Sequence, residues 1–152
     1  MAGLITRRQW LSTVVGGLGA VLLPGPIAHA QLMSGMTLAA QGRFRDSDML
    51  HRGTGDVMVY RRADGSLLLR FDNFRVTAGP DLYVYLTRHA APANSKDVKK
   101  GFLPVARLKA NVGTQDYDLP AGTTLAEFGS VVVYCQVFGV LFSAATLTNV
   151  IG

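Results

Sequence analysis

The chain has 152 residues, of which 49% are hydrophobic and 16% charged, with a formal net charge of +5 and a single cysteine. That length suits one domain, the mixed apolar and charged content excludes a disordered chain, and no apolar run reaches the roughly 18 uninterrupted residues of a membrane span. One cysteine excludes an intrachain disulfide and any structural zinc site built on paired thiolates, so packing must hold the fold.

Residues 1–30 contain Arg7 and Arg8, no acidic residue, a mildly apolar stretch from Val14 to Leu23, the break Pro24-Gly25-Pro26 and then Ala28-His29-Ala30. This order of basic, apolar and small-residue regions is that of an export signal cleaved after Ala30. Thr6-Arg7-Arg8-Gln9-Trp10-Leu11 is similar to the bacterial twin-arginine motif, with Trp10 where Phe is usual. An ordinary secretory signal and an uncleaved anchor are the alternatives, and the Pro-Gly-Pro break argues against the anchor. Removal leaves 13 Lys+Arg against 10 Asp+Glu, a net charge of +3. The expected location is therefore periplasmic or secreted, with no membrane anchor remaining. The remaining cations are scattered rather than set in a stripe with stacking aromatics, which argues against nucleic acid.

Residues 31–40 read as a spacer, and from Gln41 onward short apolar runs alternate with turn residues. Candidate strands are Gly42–Arg45, Val57–Tyr60, Leu67–Phe71, Asp81–Thr87, Val105–Leu108, Gln115–Leu119, Ser130–Phe138 and Val140–Phe142. Ala63-Asp64-Gly65-Ser66 marks a hairpin between the second and third of these, because Gly supplies positive φ between two β-rich runs. Helical spacing is absent except for a turn near Ser95–Lys100. The expected fold is all-β: a single small sandwich or barrel of about eight short antiparallel strands, spanning residues 41–148. In Val131–Phe138 the side chains alternate, so Val131, Val133, Cys135 and Val137 share a small apolar face that suits the core. Tyr134, Gln136 and Phe138 lie on the other. Gly139 could mark a bulge that re-aims the strand end and exposes the thiol.

Four segments stand in a recognisable order: Gly79-Pro80-Asp81-Leu82-Tyr83-Val84-Tyr85-Leu86; Leu108 through Tyr117; Leu119-Pro120; and Ser130-Val131-Val132-Val133-Tyr134-Cys135 followed by Phe138, Val140, Phe142, Ala145 and Leu147. Together with Gly42-Arg43-Phe44 and His51-Arg52-Gly53-Thr54-Gly55, they make residues 41–148 resemble the DM-thirteen domain. The departure is Tyr134, where that family commonly has Trp. The resemblance implies a β-rich domain of extracytoplasmic electron transfer, with Cys135 as a bare thiol centre or as the ligand of a prosthetic group. It supplies no substrate, and any redox or binding partner would be a separate extracytoplasmic molecule.

A thiol is reactive as the thiolate, and no Lys, Arg or His lies within several residues of Cys135, so activation would have to come from across the fold. Asp81 and His51 are the candidates for setting its ionisation, with Phe138 and Tyr134 lining a site beside it. The competing reading makes Cys135 a small buried hydrophobe, Asp81 a turn carboxylate and His51 a loop residue. Under that reading the chain is a non-catalytic binding or adhesion module. Covalent haem attachment lacks its Cys-x-x-Cys-His motif, and blue copper lacks a His or Met after the cysteine. A loosely held haem or copper on Cys135, or no cofactor, are the readings left. Motifs of hydrolases and transferases are absent, and Glu127 is the only glutamate.

Overall fold

A computed structural model describes residues 35–150; the proposed export signal and its cleavage point lie outside them. Nine strands form among the described residues: β1 (Thr37–Asp46), β2 (Gly53–Arg61), β3 (Leu67–Val76), β4 (Leu82–Thr87), β5 (Phe102–Arg107), β6 (Gln115–Asp118), β7 (Ser130–Cys135), β8 (Val140–Thr146) and the two-residue β9 (Thr148–Asn149). One helical turn, α1 (Ser95–Val98), follows β4, and a 3-10 turn at Leu125–Glu127 precedes β7. The strands run β5-β4-β7-β8-β1-β2-β3-β6, with β9 on β1. Every neighbouring pair is antiparallel, giving the nearly closed barrel expected. Pro104 sits in β5, at the end of this order, where a missing N–H costs no ladder bond.

The β2–β3 hairpin forms where expected. Gly65 takes φ +85°, and Asp64 Oδ1 accepts from the Ser66 backbone N–H at 2.9 Å and from its hydroxyl at 2.6 Å. In β2 the register shifts between Thr54 and Asp56, and Gly55 takes φ +115° with only 2.6 Å between a would-be Cβ and Phe74 Cα, so this bulge admits glycine alone. β1 begins at Thr37, inside the stretch read as spacer, because Ala40 is fully buried against the core. Leu38-Ala39-Ala40 carries no β-branched residue, so its strand character comes from pairing rather than propensity.

The ends of β5 and β6 meet through side chains instead of a ladder. Tyr117 Oη accepts the Lys109 N–H at 3.0 Å and donates to Gln115 Oε1, which also takes the Ala110 N–H, while Gln115 Nε2 donates to Ala110 O at 2.9 Å. Burial holds the Tyr117 phenol above its usual pKa, which keeps that donor protonated. Inside, Phe71 packs against Phe44, Phe74 and Tyr117 with ring centroids 4.8, 4.9 and 5.3 Å away.

A second, smaller layer lies outside β4, β7 and β8. The segment 88–101 folds over them and places Val98 against Tyr85, Val132, Tyr134, Leu141 and Ala144. A buried hydroxyl and a guanidinium pin it: Ser130 Oγ donates to His89 O at 2.7 Å, and Arg45 Nη2 to Pro92 O at 2.8 Å. Asn94 caps α1 by accepting from the backbone N–H groups of Lys96 and Asp97. β7 is therefore buried on both faces, which is why it reads as an unbroken apolar run rather than an alternating one.

On the opposite side of the barrel Arg70 and Asp116 pair bidentately at 2.7 and 2.6 Å, with Arg70 mostly covered. The guanidinium holds the Asp116 carboxyl below its ordinary pKa. A carboxylate depressed in the folded state contributes stability that is complete above the unfolded value, near pH 4, and is lost as pH falls through the folded one. Asp116→Asn should cost about 1 kcal/mol at pH 7, a figure reduced for the partial exposure of the carboxylate, and the difference from the wild type should narrow as pH falls below the ordinary carboxylate range. Denaturant melts at pH 7 and pH 3 check this; an equal gap at both would sink it.

Candidate functional site

The strand directions bring several loops to one end of the barrel. β1 leaves at Asp46 opposite Ser143, midway along β8, and β3 leaves at Val76 opposite Gly53, the first residue of β2. β7 leaves at Cys135 opposite Leu82, the first residue of β4, and Val112 in the β5–β6 connection bridges to Arg75. Loop 47–52, segment 77–81, loop 108–114 and turn 136–139 therefore share this end. Five of the seven large hydrophobic side chains exposed among the described residues stand on those loops: Met49, Leu50, Val112, Val137 and Phe138.

Cys135 lies one residue beneath that end. It points inward as the alternation predicted, sharing the core with Leu82, Val84, Val131, Val133 and Phe142, and is 0% exposed. Its thiol is free and carries no hydrogen bond or ion pair among the described residues. The strand ends here, not at Phe138. Gln136–Gly139 is a tight turn, with the Gly139 N–H donating to Gln136 O and Gly139 at φ +62°. Gly139 therefore makes the turn, while the bulge falls deeper, between Val133 and Tyr134, and the thiol stays covered.

The residues expected around the thiol are placed separately. Asp81 reaches this end: its carbonyl accepts the Gln136 N–H at 3.0 Å, and its carboxylate faces Arg107 at 3.6 Å. His51 packs against Phe142 with centroids 4.4 Å apart and planes tilted by 56°, and Phe142 belongs to the cluster that holds Cys135. The His51 Nδ1 also meets Asp48 Oδ2 at 2.7 Å, and Asp48 Oδ1 accepts the Leu50 and His51 N–H groups. Those bonds hold the Asp48 carboxyl below its usual range. Tyr134 faces the outer layer, on the opposite side of β7 from Cys135, where its hydroxyl meets Ser95 Oγ at 2.6 Å. Phe138 stands in the turn, 69% exposed. Cys135, Tyr134 and Phe138 are thus neighbours in sequence that open onto three different surroundings.

A haem or copper ion ligated by Cys135 does not fit these residues. The sulfur lies inside an apolar core, and no group of three or more His, Cys, Asp or Glu gathers to complete a ligand set among the described residues. A planar macrocycle would need space that the packed chains around Leu82 and Phe142 occupy.

The sequence reading missed a recess of about 220 Å³ on the outer face of β4 and β7, whose wall includes Tyr85, Val98, Lys99, Phe102, Tyr134 and Gln136. Its members come from four segments, so only the alternating tyrosines of β4 hinted at it. Phe142, Arg107 and the apolar loop tips were likewise invisible as a group.

Compared with models of known families, residues 43–147 match the one described as Electron transfer DM13. The chain belongs to the DM13 family. Searches of curated proteins and of solved structures returned no match. The DM13 match starts within β1 and ends after β8, covering the whole barrel apart from its first strand residues and β9. Membership supports a redox or electron-transfer module. Among the described residues no helix is long and apolar enough to cross a membrane.

Proposed function

We propose that this DM13 chain is an exported, periplasmic electron-transfer accessory domain that meets a separate redox partner end-on, with Cys135 as the group that exchanges electrons. One observation carries the reading: the only cysteine lies directly beneath the end where Met49, Leu50, Val112, Val137 and Phe138 are exposed. Carboxylates at that end are already engaged, Asp46 by Arg52, Asp48 by His51 and Asp81 by Arg107, so the partner's matching surface is apolar rather than strongly charged. Asp81 and His51 act as positioning residues, Asp81 by anchoring turn 136–139 and His51 by covering Phe142. With a single cysteine the chain closes no internal disulfide, so two-electron thiol chemistry needs a disulfide on the partner: the Cys135 thiolate attacks one of its sulfurs, the partner's S–S bond breaks, the other sulfur leaves as a thiolate, and turn 136–139 has to move to admit the attack. Export rests on Arg7, Arg8 and the apolar stretch behind them.

Complete burial of the thiol, with no cation beside it among the described residues, favours a second reading: a partner-binding module in which Cys135 is packing. Voltammetry on a methyl-terminated electrode, which mimics an apolar partner, separates the two. The expected result is a wave from the wild type that is lost in Cys135→Val and several-fold weaker in Phe138→Asp, both variants remaining folded. A wave that survives in Cys135→Val removes the thiol from the mechanism and leaves the binding module; no wave from the wild type removes direct electron exchange.

A further inference from the structure

We infer that the outer face of β4 and β7 carries a binding site for a single-ring aromatic molecule bearing an acceptor oxygen. The recess of about 220 Å³ is lined by three rings, of which one pair is stacked and the other tilted. Tyr85 and Phe102 stack with centroids 4.9 Å apart at 22°, and Tyr85 and Tyr134 lie 5.5 Å apart at 32°. Offset stacking is a favoured arrangement for aromatic pairs, so this wall selects a flat ring over a puckered one. Its volume sets the size: an apolar cavity of about 150 Å³ accepts benzene, so this one holds one substituted ring.

The polar groups set the chemistry. Tyr85 is 2% exposed, and its hydroxyl accepts from Gln136 Nε2 at 2.8 Å, which leaves its own O–H free to donate. Burial raises the pKa of that phenol and keeps the proton in place. Lys99 lies in the wall with no ion pair among the described residues, and the wall contains no carboxylate. The Tyr134 hydroxyl is already engaged with Ser95. Two donors and no resident carboxylate call for an oxygen acceptor on the ligand, with an anionic one bound better. The site is on the face of β7 away from Cys135 and stands independently of any redox role for the thiol.

The test is calorimetric or NMR titration of the purified chain with benzoate, benzamide and cyclohexanecarboxylate. Benzoate should bind saturably with Kd at or below about 1 mM, benzamide more weakly, and cyclohexanecarboxylate at least about fivefold more weakly than benzoate. Lys99→Ala, an exposed position, should weaken benzoate about fivefold and leave benzamide unchanged, whereas Tyr85→Phe should weaken both about fivefold. Should Tyr85→Phe fail to fold, the contrast between the two ligands in Lys99→Ala still decides. Absence of saturable benzoate binding, equal affinity for the puckered acid, or indifference to Lys99→Ala would overturn the site.

Discussion

A thiol-specific reagent at neutral pH should label Cys135 in the folded protein at least about a thousandfold more slowly than a free cysteine. The side chain is 0% exposed and lies among Leu82, Val133 and Phe142. Reaction therefore requires an opening. Local and global openings of a domain cost up to its full stability, about 5–15 kcal/mol, and each 1.4 kcal/mol is a factor of ten. An opening of only about 4 kcal/mol already gives the thousandfold protection. Labelling should approach the free-thiol rate once denaturant unfolds the chain. A near-free rate under native conditions would show that turn 136–139 opens without unfolding, contrary to the packing described. Protection in the free protein that disappears when a redox partner is added is the behaviour the electron-transfer reading demands.

Phe71→Ala should destabilise the domain by about 3–5 kcal/mol, enough to lower Tm by more than about 10 °C. Phe71 is fully buried and touches three other rings, from β1, β3 and β6. Removing its ring deletes apolar burial and leaves a void that three strands cannot close together, since the ladders on both sides of β3 hold their spacing. Phe138→Ala is the control: the same truncation in an exposed turn should change stability by less than about 0.5 kcal/mol. Comparable losses in the two variants, measured by chemical denaturation, would contradict the assignment of inside and outside.

The alternation in Val131–Cys135 was enough to send the thiol inward, because a strand's period of two depends only on local backbone geometry. Gly65 marked its hairpin for the same local reason, the need for positive φ. Failures came where local and distant demands meet. Val137 and Phe138 are as β-prone as the residues before them, yet β7 stops at Cys135 because Val140 pairs back onto it and Gly139 closes the turn. The start of β1 was missed for the converse reason: Leu38-Ala39-Ala40 has weak strand propensity but is held by Tyr60, Val59 and β9. At the candidate site, Asp81 and His51 were found as polar residues near turns. Their actual neighbours, Arg107 and Phe142, are 26 and 91 positions away in the chain, a separation no periodicity encodes.

By itself the amino-acid order determined an all-β chain, the inward direction of its one thiol and, through segments in a recognisable succession, DM13 membership. These follow from dihedral preference, alternation and turn chemistry, which act over a few residues. Folding alone decided that segment 88–101 would cover the Tyr134 face, that Gln115 and Tyr117 would seal the barrel seam, and that five apolar loop tips would share an end with Cys135. Each of those depends on strand order and register between distant segments, where the free energy of burying a face selects among pairings that look equivalent along the chain.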